Sequence, residues 1–237
     1  MSLSGKTILI TGAAGGLGSA IALQCAGLGA DLVLLDKNRR GLGELSDRMT
    51  SQGLPAPGLY PLDLAVAGID DFDDLFETVG SEFHGLDALI HCALYFDGLR
   101  LLEQIQPQDW LQSMQVNVNA PWLLSCAALP LLKKSENGRL FFMLDEYEIV
   151  TGAYWGAYAT GKAALSGLVR QFNAALSHTP VSVRGIIPGP MRTGFRAQVY
   201  HAENPLEQPD PSVAARKITD MLSGSLADYD LIVRLSD

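Results

Sequence analysis

The sequence has few charged residues, little cysteine and no long hydrophobic run. Only 18% of its 237 residues are charged and 48% are hydrophobic, a balance that excludes an intrinsically disordered chain. Its three cysteines, Cys25, Cys92 and Cys126, have neither CxxC nor metal-ligand spacing, which predicts buried free thiols and no metal site. No stretch reaches the roughly 18 apolar residues of a membrane-spanning helix.

The small charged fraction is also acidic. A formal net charge of −9 excludes nucleic acid and anionic membranes as expected partners. The first residues, Met1 to Lys6, lack the apolar segment of a secretory signal peptide. We therefore expect a cytoplasmic protein that binds a small-molecule substrate.

Short apolar runs alternate with longer helical patterns along the chain. This alternation predicts one doubly wound α/β domain over residues 1–237, in which helices cover both faces of a parallel sheet. The predicted strands are 7–11, 32–36, 58–62, 88–91, 140–144, 181–187 and 231–235. The predicted helices are 16–28, 42–52, 69–83, 109–133, 157–177 and 212–222. The longest irregular stretch, 191–211, is the expected substrate loop.

A glycine-rich segment, Thr11-Gly-Ala-Ala-Gly-Gly-Leu-Gly18, follows the first predicted strand and opens the first helix. Glycine permits a tight turn and a close approach of the backbone to a pyrophosphate. The unpaired N–H groups at the start of the helix attract the phosphates. The strand-turn-helix context therefore predicts a dinucleotide site.

Asp36 ends the second predicted strand, where an acidic side chain would accept a hydrogen bond from a ribose 2′-hydroxyl. A carboxylate at this position repels a 2′-phosphate, so NAD(H) is favoured over NADP(H). The cations that follow, Lys37, Arg39 and Arg40, keep NADP(H) possible. The alternative is that Asp36 only terminates the strand in a turn.

Tyr158 and Lys162 lie four residues apart in a predicted helix, so both side chains project from one face. A lysine cation one turn away favours the phenolate and lowers the pKa of the tyrosine toward working pH. The pair is then an acid-base catalyst. Taken alone, it also fits an ordinary solvated helix face.

The segments Thr11-Gly-x-x-x-Gly-x-Gly18 and Tyr158-x-x-x-Lys162 together resemble the short-chain dehydrogenase/reductase family over nearly the whole chain. Segments 114–120 and 155–159 are similar to those of a subgroup of poorly characterised bacterial oxidoreductases. The resemblance implies about seven strands in the order 3-2-1-4-5-6-7, and hydride transfer between a nicotinamide and an alcohol or carbonyl. It implies that Tyr158 exchanges the proton and that Lys162 holds the nicotinamide ribose. It also implies a homodimer or homotetramer, formed through helices 109–133 and 157–177.

Other positions match the family residue by residue. Asn117 matches an asparagine that anchors a proton-relay water, and Pro121, which has no N–H, independently frees the Asn117 carbonyl. Alternatively, Asn117 is an ordinary polar helix residue. The cofactor-binding residues that the motifs and the resemblance indicate are Gly12, Ala14, Gly16, Leu17, Gly18, Asp36, Asp63, Leu64, Ala93, Tyr158, Lys162, Pro188, Gly189 and Thr193.

Asp145 departs from the family pattern. It stands thirteen positions before Tyr158, where the family has a serine that donates a hydrogen bond to the substrate oxygen. An ionised carboxylate cannot donate and opposes the phenolate, because two unit charges about 4 Å apart interact by roughly 4 kcal/mol at an effective dielectric of 20. In an apolar site the carboxyl would stay protonated and donate as the serine does. Alternatively, Asp145 points into solvent with Glu146.

The segment from His91 to Leu94 also departs from the family, which has glycine at the position of Leu94. A leucine there would crowd the nicotinamide ribose, whereas His91 and Cys92 are expected to be core residues. Two functions stay open: an NAD(H)-preferring oxidoreductase acting on a small or medium-sized alcohol or carbonyl, and an NAD(H)-binding sensor or partner subunit without chemistry. A third reading is that Leu94 excludes the cofactor. Candidate substrate-pocket residues in loop 191–211 are Phe195, Tyr200 and His201.

Overall fold

A computed structural model describes residues 2–235, without the side chains of residues 147 and 148. Residues 1, 236 and 237, which the single-domain prediction covers, lie outside the described residues. Seven parallel strands form one sheet in the order β3-β2-β1-β4-β5-β6-β7, which confirms the predicted fold class and strand order. The strands are β1 Thr7–Thr11, β2 Asp31–Asp36, β3 Gly58–Pro61, β4 Ala88–His91, β5 Arg139–Met143, β6 Ser182–Ile187 and β7 Ile232–Arg234.

Helices cover both faces of the sheet. The α-helices are α1 Gly16–Gly27, α2 Arg39–Ser51, α3 Ile69–Glu82, α4 Pro107–Met114, α5 Ala120–Leu132, α6 Tyr147–Thr151, α7 Gly156–Ala175, α8 Gly194–Val199 and α9 Pro211–Ser223. A π-helical segment, Gln115–Asn119, joins α4 to α5, and short 3₁₀ turns form at Leu102–Gln104 and Pro205–Glu207. Within residues 2–235, none of the helices combines the length and the hydrophobicity needed to span a bilayer.

Two hydrophobic cores sandwich the sheet. On one face, α1, α2 and α9 contribute buried side chains such as Ile21, Leu42 and Ile218. On the other face, α3, α5 and α7 contribute Phe72, Leu124 and Val169. Because β1 is buried along its whole length between these layers, its sequence is apolar at successive positions rather than alternating.

The helix predicted over 109–133 is interrupted. In the π-helical segment the hydrogen bonds reach one residue further than in an α-helix, as from the Ala120 N–H to the Gln115 carbonyl. Pro121, one residue later, has no N–H to continue the α-helical pattern. Loop 191–211, predicted as irregular, contains α8 and a 3₁₀ turn. Helix α6 was not predicted, because five residues are too few to show a helical period.

The prediction of buried thiols is confirmed in full for Cys25 and in part for Cys92. Cys25 is buried and Cys92 is partly buried, and burial raises the pKa of each thiol to about 12. Cys126 is exposed, so the prediction of a buried thiol is wrong there. It lies on α5 one turn after Trp122, which is 47% exposed, so both residues belong to the outer face of that helix.

Candidate active site

A cleft of about 890 Å³ opens where the carboxyl ends of the strands meet. In a doubly wound sheet, ligands bind where the strand order reverses, here between β1 and β4. All the predicted cofactor-binding residues line the cleft, as do Asp145, Phe195 and Tyr200: Gly12, Ala14, Gly16, Leu17, Gly18, Asp36, Asp63, Leu64, Ala93, Tyr158, Lys162, Pro188, Gly189 and Thr193. Two predicted site residues do not line it, the buried Asn117 and the exposed His201.

The glycine loop is packed too tightly for side chains at three positions. A Cβ on Gly12, whose φ is +65°, would lie 2.6 Å from the Ala93 nitrogen. A Cβ on Gly16 would lie 2.7 Å from Thr193 Cγ2, and one on Gly18 would lie 2.3 Å from the Gly12 carbonyl oxygen. The loop therefore presents bare backbone to the cleft, next to the start of α1, and fits the pyrophosphate of a dinucleotide.

Asp36 holds the glycine loop in place. Its carboxylate accepts hydrogen bonds from the Ala14 N–H at 3.0 Å and from the Asn38 N–H at 2.8 Å. These bonds connect the end of β2 to the glycine loop and to the start of α2. Asp36 therefore has the structural role in a turn that was the alternative to binding a ribose. Asp36 and the neighbouring Lys37 both line the cleft.

Leu94 forms part of the cleft wall. It is 38% exposed, and the preceding Ala93 N–H donates to the Thr11 hydroxyl at 3.2 Å. This bond fixes the segment after β4 beside the glycine loop. The cleft remains open with Leu94 in its wall, so the reading in which Leu94 excludes the cofactor receives no support.

Tyr158 and Asp145 form a direct hydrogen bond. The buried Tyr158 hydroxyl donates to Asp145 Oδ2 at 2.7 Å, and Asp145 Oδ1 accepts from the Glu146 N–H at 2.9 Å. Burial, reinforced by the charge and hydrogen bond of Asp145, raises the pKa of Tyr158 well above its ordinary value. The pKa of Tyr158 is therefore raised rather than lowered as expected from Lys162, and the alternative in which Asp145 points into solvent is wrong.

Lys162 lies beside the tyrosine, as its helical spacing predicts. Its Nζ is 5.5 Å from the centre of the Tyr158 ring and donates to the Met143 carbonyl at 2.7 Å. Burial lowers the pKa of Lys162, although the nearby Asp145 charge partly opposes that effect. The lysine therefore anchors the start of α7 to the end of β5 and keeps its ammonium group in the wall of the cleft.

Asn117 lies in the π-helical segment. Its side-chain amide accepts from the Tyr95 N–H at 2.9 Å and donates to the Tyr95 carbonyl at 2.9 Å and to the Ser113 hydroxyl at 3.0 Å. These bonds fix the segment after β4 against the helix. The proposed role of the Asn117 carbonyl in anchoring a water stays a prediction.

His91 is a core residue, as expected. Its Nε2 lies 2.9 Å from the Ser125 hydroxyl, and its ring stacks on Phe142 with the centroids 4.8 Å apart. Complete burial lowers its pKa to about 3. The imidazole is therefore neutral inside the folded protein, and it does not line the cleft.

Five aromatic rings crowd the Tyr158 end of the cleft, and we call them the aromatic cluster. Neighbouring ring centroids are 5.3 to 6.5 Å apart. The cluster consists of Phe96, Trp155, Tyr158, Phe195 and Tyr200.

Sequence reasoning found Tyr158, Phe195 and Tyr200 but missed Phe96 and Trp155. Trp155 lies three residues before Tyr158, a helical spacing that would have indicated it. The position of Phe96 depends on the path of the chain after β4, for which the sequence carries no local signal.

Comparison with known proteins agrees with this geometry. The family model of the short chain dehydrogenases matches residues 6–204. The uncharacterized oxidoreductase YciK of Escherichia coli K12 is 32% identical over 210 residues, which cover 89% of this chain and 83% of YciK. The chain belongs to the short chain dehydrogenase family.

Two solved structures extend the comparison across the whole fold. A structure from Pseudomonas syringae assigned to the short chain dehydrogenases is 36% identical, with a TM-score of 0.91 over 98% of this chain and 95% of that one. Another, from Escherichia coli CFT073 and complexed with NADPH, is 29% identical, with a TM-score of 0.92 over 99% and 98%.

Membership makes this short chain dehydrogenase an NAD(P)-dependent oxidoreductase. Its relatives include uncharacterised bacterial oxidoreductases, as the resemblance of segments 114–120 and 155–159 indicated. The comparisons give no support to the alternative of an NAD(H)-binding protein without chemistry. At the position where the resemblance implies a serine, the tyrosine contacts the carboxylate of Asp145.

Proposed function

We propose that this protein is a reductase that uses a nicotinamide cofactor to reduce the carbonyl group of a small or medium-sized substrate beside Tyr158. The observation that carries the proposal is the position of Tyr158 and Lys162 in the wall of the cleft that the glycine loop opens. When bound, the nicotinamide supplies a hydride to the substrate carbon. Tyr158 donates the proton to the product oxygen, and Lys162 holds the ribose end of the cofactor.

The resting protonation state of Tyr158 is the one from which reduction starts. Burial and Asp145 raise the pKa of the phenol, so it keeps its proton and is an acid rather than a base. Oxidation of an alcohol starts from the phenolate, and reduction of a carbonyl produces it once Tyr158 has donated its proton, so the Asp145 carboxylate opposes the phenolate in both directions. In the resting site, however, the Tyr158 proton points toward Asp145, so it must turn toward the substrate oxygen.

For the cofactor, the positive charge next to Asp36 supports NADPH over NADH. Both oxygens of Asp36 already accept backbone N–H groups, while Lys37 lines the cleft and Arg39 begins α2. These two exposed cations suit a 2′-phosphate. The relative complexed with NADPH points the same way. This proposal reverses the preference for NAD(H) drawn from Asp36 and from the lack of a basic side chain at Ala13 and Ala14.

A titration of the intrinsic fluorescence with NADH and with NADPH tests the cofactor site. We expect saturable binding of both, tighter for NADPH, and a loss of that preference in Lys37→Ala. Equal or tighter binding of NADH by the wild type would overturn the preference for NADPH.

A panel of aldehydes and ketones tests the reaction, with the Asp145→Ser variant as the key comparison. Serine restores a hydrogen-bond donor and removes the charge that opposes the developing alkoxide, so we expect carbonyl reduction to rise about tenfold or more over the wild type. Asp145→Asn is the isosteric control. The proposal fails if neither cofactor binds, or if neither the wild type nor Asp145→Ser reduces any carbonyl.

We also propose that the protein is a homodimer or homotetramer. The outer face of α5 carries Trp122 at 47% exposure, and Leu111 on the adjoining α4 is 67% exposed. Aromatic and aliphatic side chains of this size favour an interface. Light scattering coupled to size exclusion measures the mass, and a monomer across the micromolar range would overturn this point.

A further inference from the structure

The aromatic cluster and Asp145 form one wall of the cleft. The cluster draws on three segments: Phe96 follows β4, Trp155 and Tyr158 lie at the start of α7, and Phe195 and Tyr200 belong to α8 and its end. Asp145, which follows β5 by two residues, contacts the cluster through the hydroxyl of Tyr158. A substrate that reaches Tyr158 therefore meets aromatic rings and a carboxylate together.

Other charged side chains near this wall are engaged elsewhere. Glu146 forms an ion pair with Arg234, and Arg196 binds Glu203 through Nε at 2.5 Å and Nη2 at 2.7 Å. Lys162 donates to the Met143 carbonyl.

Asp145 differs from Glu146 and Arg196 in that its charge is not neutralised by an ion pair within the described part of the chain. Among the residues that the structure describes, no cation lies within ion-pair distance of its carboxylate. Lys162 has no ion-pair partner in the described structure either, but its ammonium group donates to the Met143 carbonyl. The charge in direct contact with the Tyr158 hydroxyl is therefore negative, with Asp145 Oδ2 at 2.7 Å.

Such a wall stabilises positive charge and destabilises negative charge. The faces of aromatic rings attract cations, and a carboxylate attracts them more strongly. An alkoxide forming next to Tyr158 would meet the carboxylate at close range. The wall therefore suits a substrate whose reacting group begins as a cation and ends neutral, rather than one that begins neutral and passes through an anion.

We propose that the preferred substrate is an iminium ion, in which the reacting carbon is doubly bonded to a positively charged nitrogen. The inference rests on the proposed function for the cofactor and for the place of reaction, and it changes the reacting group from C=O to C=N⁺. The aromatic cluster would hold an aryl or cyclic iminium, and Asp145 would lie beside its charge.

The reaction of such a substrate balances without a proton from the protein. One hydrogen nucleus and two electrons are added to the carbon as hydride, the π pair of the C=N⁺ bond becomes the lone pair of nitrogen, and the amine product is neutral. The reduced nicotinamide is oxidised in the same step. No phenolate forms, so the hydrogen bond between Tyr158 and Asp145 persists throughout the reaction.

Kinetics with a matched pair of compounds tests the inference. N-methyl-3,4-dihydroisoquinolinium is a permanent iminium cation, and 1-tetralone is a neutral ketone of similar size and shape. After subtraction of the rate without protein, we expect wild-type kcat/KM with NADPH to be about tenfold or more higher for the cation. In Asp145→Ser and Asp145→Asn, the preference should fall by a similar factor.

Binding without turnover gives an independent readout. N,N-dimethyl-1,2,3,4-tetrahydroisoquinolinium keeps the charge but has no C=N bond, and 2,2-dimethyltetralin is its neutral carbon analogue. Both are titrated without cofactor by the quenching of Trp155 fluorescence, taken as the difference from a Trp155→Phe variant. We expect the wild type to bind the cation about tenfold or more tightly than the neutral analogue, and Asp145→Asn to lose that preference.

The outcomes separate the two proposals. If the wild type reduces the ketone as well as the iminium, or binds the charged and neutral analogues equally, the inference is overturned although the protein remains a reductase. If cofactor binds but neither compound is reduced by the wild type, the inference is also overturned. If neither NADH nor NADPH binds, the proposed function is wrong, and the iminium inference, which depends on it, is wrong as well.

Discussion

The two ends of the cleft are built from different parts of the chain. At the glycine-loop end, the contacts are made mainly by backbone: Gly12 lies against Ala93, and both oxygens of Asp36 accept backbone N–H groups. At the Tyr158 end, the contacts are made by side chains, namely the aromatic cluster and Asp145. A site made of backbone tolerates few changes, whereas one made of side chains can change its chemistry by a single substitution.

The departure from the family pattern that changes the chemistry lies at the side-chain end, where Asp145 stands at the position for which the resemblance implies a hydrogen-bond donor. The other departure, Leu94, follows the segment beside the glycine loop, and the predicted cofactor residues all still line the cleft. The two ends should therefore respond separately to mutation. Loss of the Tyr158 hydroxyl should alter turnover far more than cofactor affinity, and substitutions in the glycine loop should do the reverse.

The largest expected effect is that of Tyr158→Phe. Removal of the hydroxyl should lower kcat for carbonyl reduction by about 10² to 10⁴, the usual range for loss of a general acid. Cofactor affinity should stay within about threefold of the wild type, because Phe keeps the ring in the cluster. Thr160→Ala, at an exposed position of the same helix, is the matched control. Full activity in Tyr158→Phe would place the chemistry elsewhere in the cleft.

The next-largest effect is the pH dependence of stability that His91 causes. His91 lies at the end of β4, near the place where the glycine-loop end and the Tyr158 end of the cleft meet. Its folded-state pKa is lowered to about 3, so the unfolded chain binds the extra proton between pH 6.5 and 3 and stability is lost as the pH falls. From pH 7 to pH 4.5, the wild type should lose roughly 2–3 kcal/mol more unfolding free energy than His91→Asn.

Denaturant unfolding at the two pH values measures this difference. The other three histidines are present in both proteins, so their contributions cancel. Equal losses in the two proteins would mean that His91 is not buried neutral. The junction would then belong to the solvated cleft rather than to the core.

A smaller effect is expected in the glycine loop. In Gly18→Ala the new Cβ would lie 2.3 Å from the Gly12 carbonyl oxygen, so the loop must shift and NADPH affinity should fall by about tenfold. Gly43→Ala in α2 is the control, since no neighbouring atom lies within 4 Å of its Cβ and it should gain about 0.5–1 kcal/mol of stability. Unchanged NADPH affinity in Gly18→Ala would show that the loop does not hold the cofactor.

The sequence predicted the fold and the glycine-loop end because both follow from local patterns. Continuous apolar strands and a strand-turn-helix glycine motif can be recognised from neighbouring residues alone, and each has a fixed place in a doubly wound fold. The Tyr158 end depends on how distant segments meet. Lys162 was expected to lower the tyrosine pKa, but burial and the Asp145 contact raise it. Phe96 reaches the cluster through the path of the chain after β4, for which the sequence carries no local signal.

The most direct test is the ionisation of Tyr158, followed by phenolate absorbance as the difference between each protein and its Tyr158→Phe counterpart. The measurement compares the wild type with Asp145→Ser from neutral pH to the alkaline limit of the folded state. We predict that Tyr158 ionises at clearly lower pH in Asp145→Ser, because the variant lacks the charge and the acceptor that hold the phenol protonated. Identical titration curves would contradict the claim that Asp145 controls the chemistry of this site.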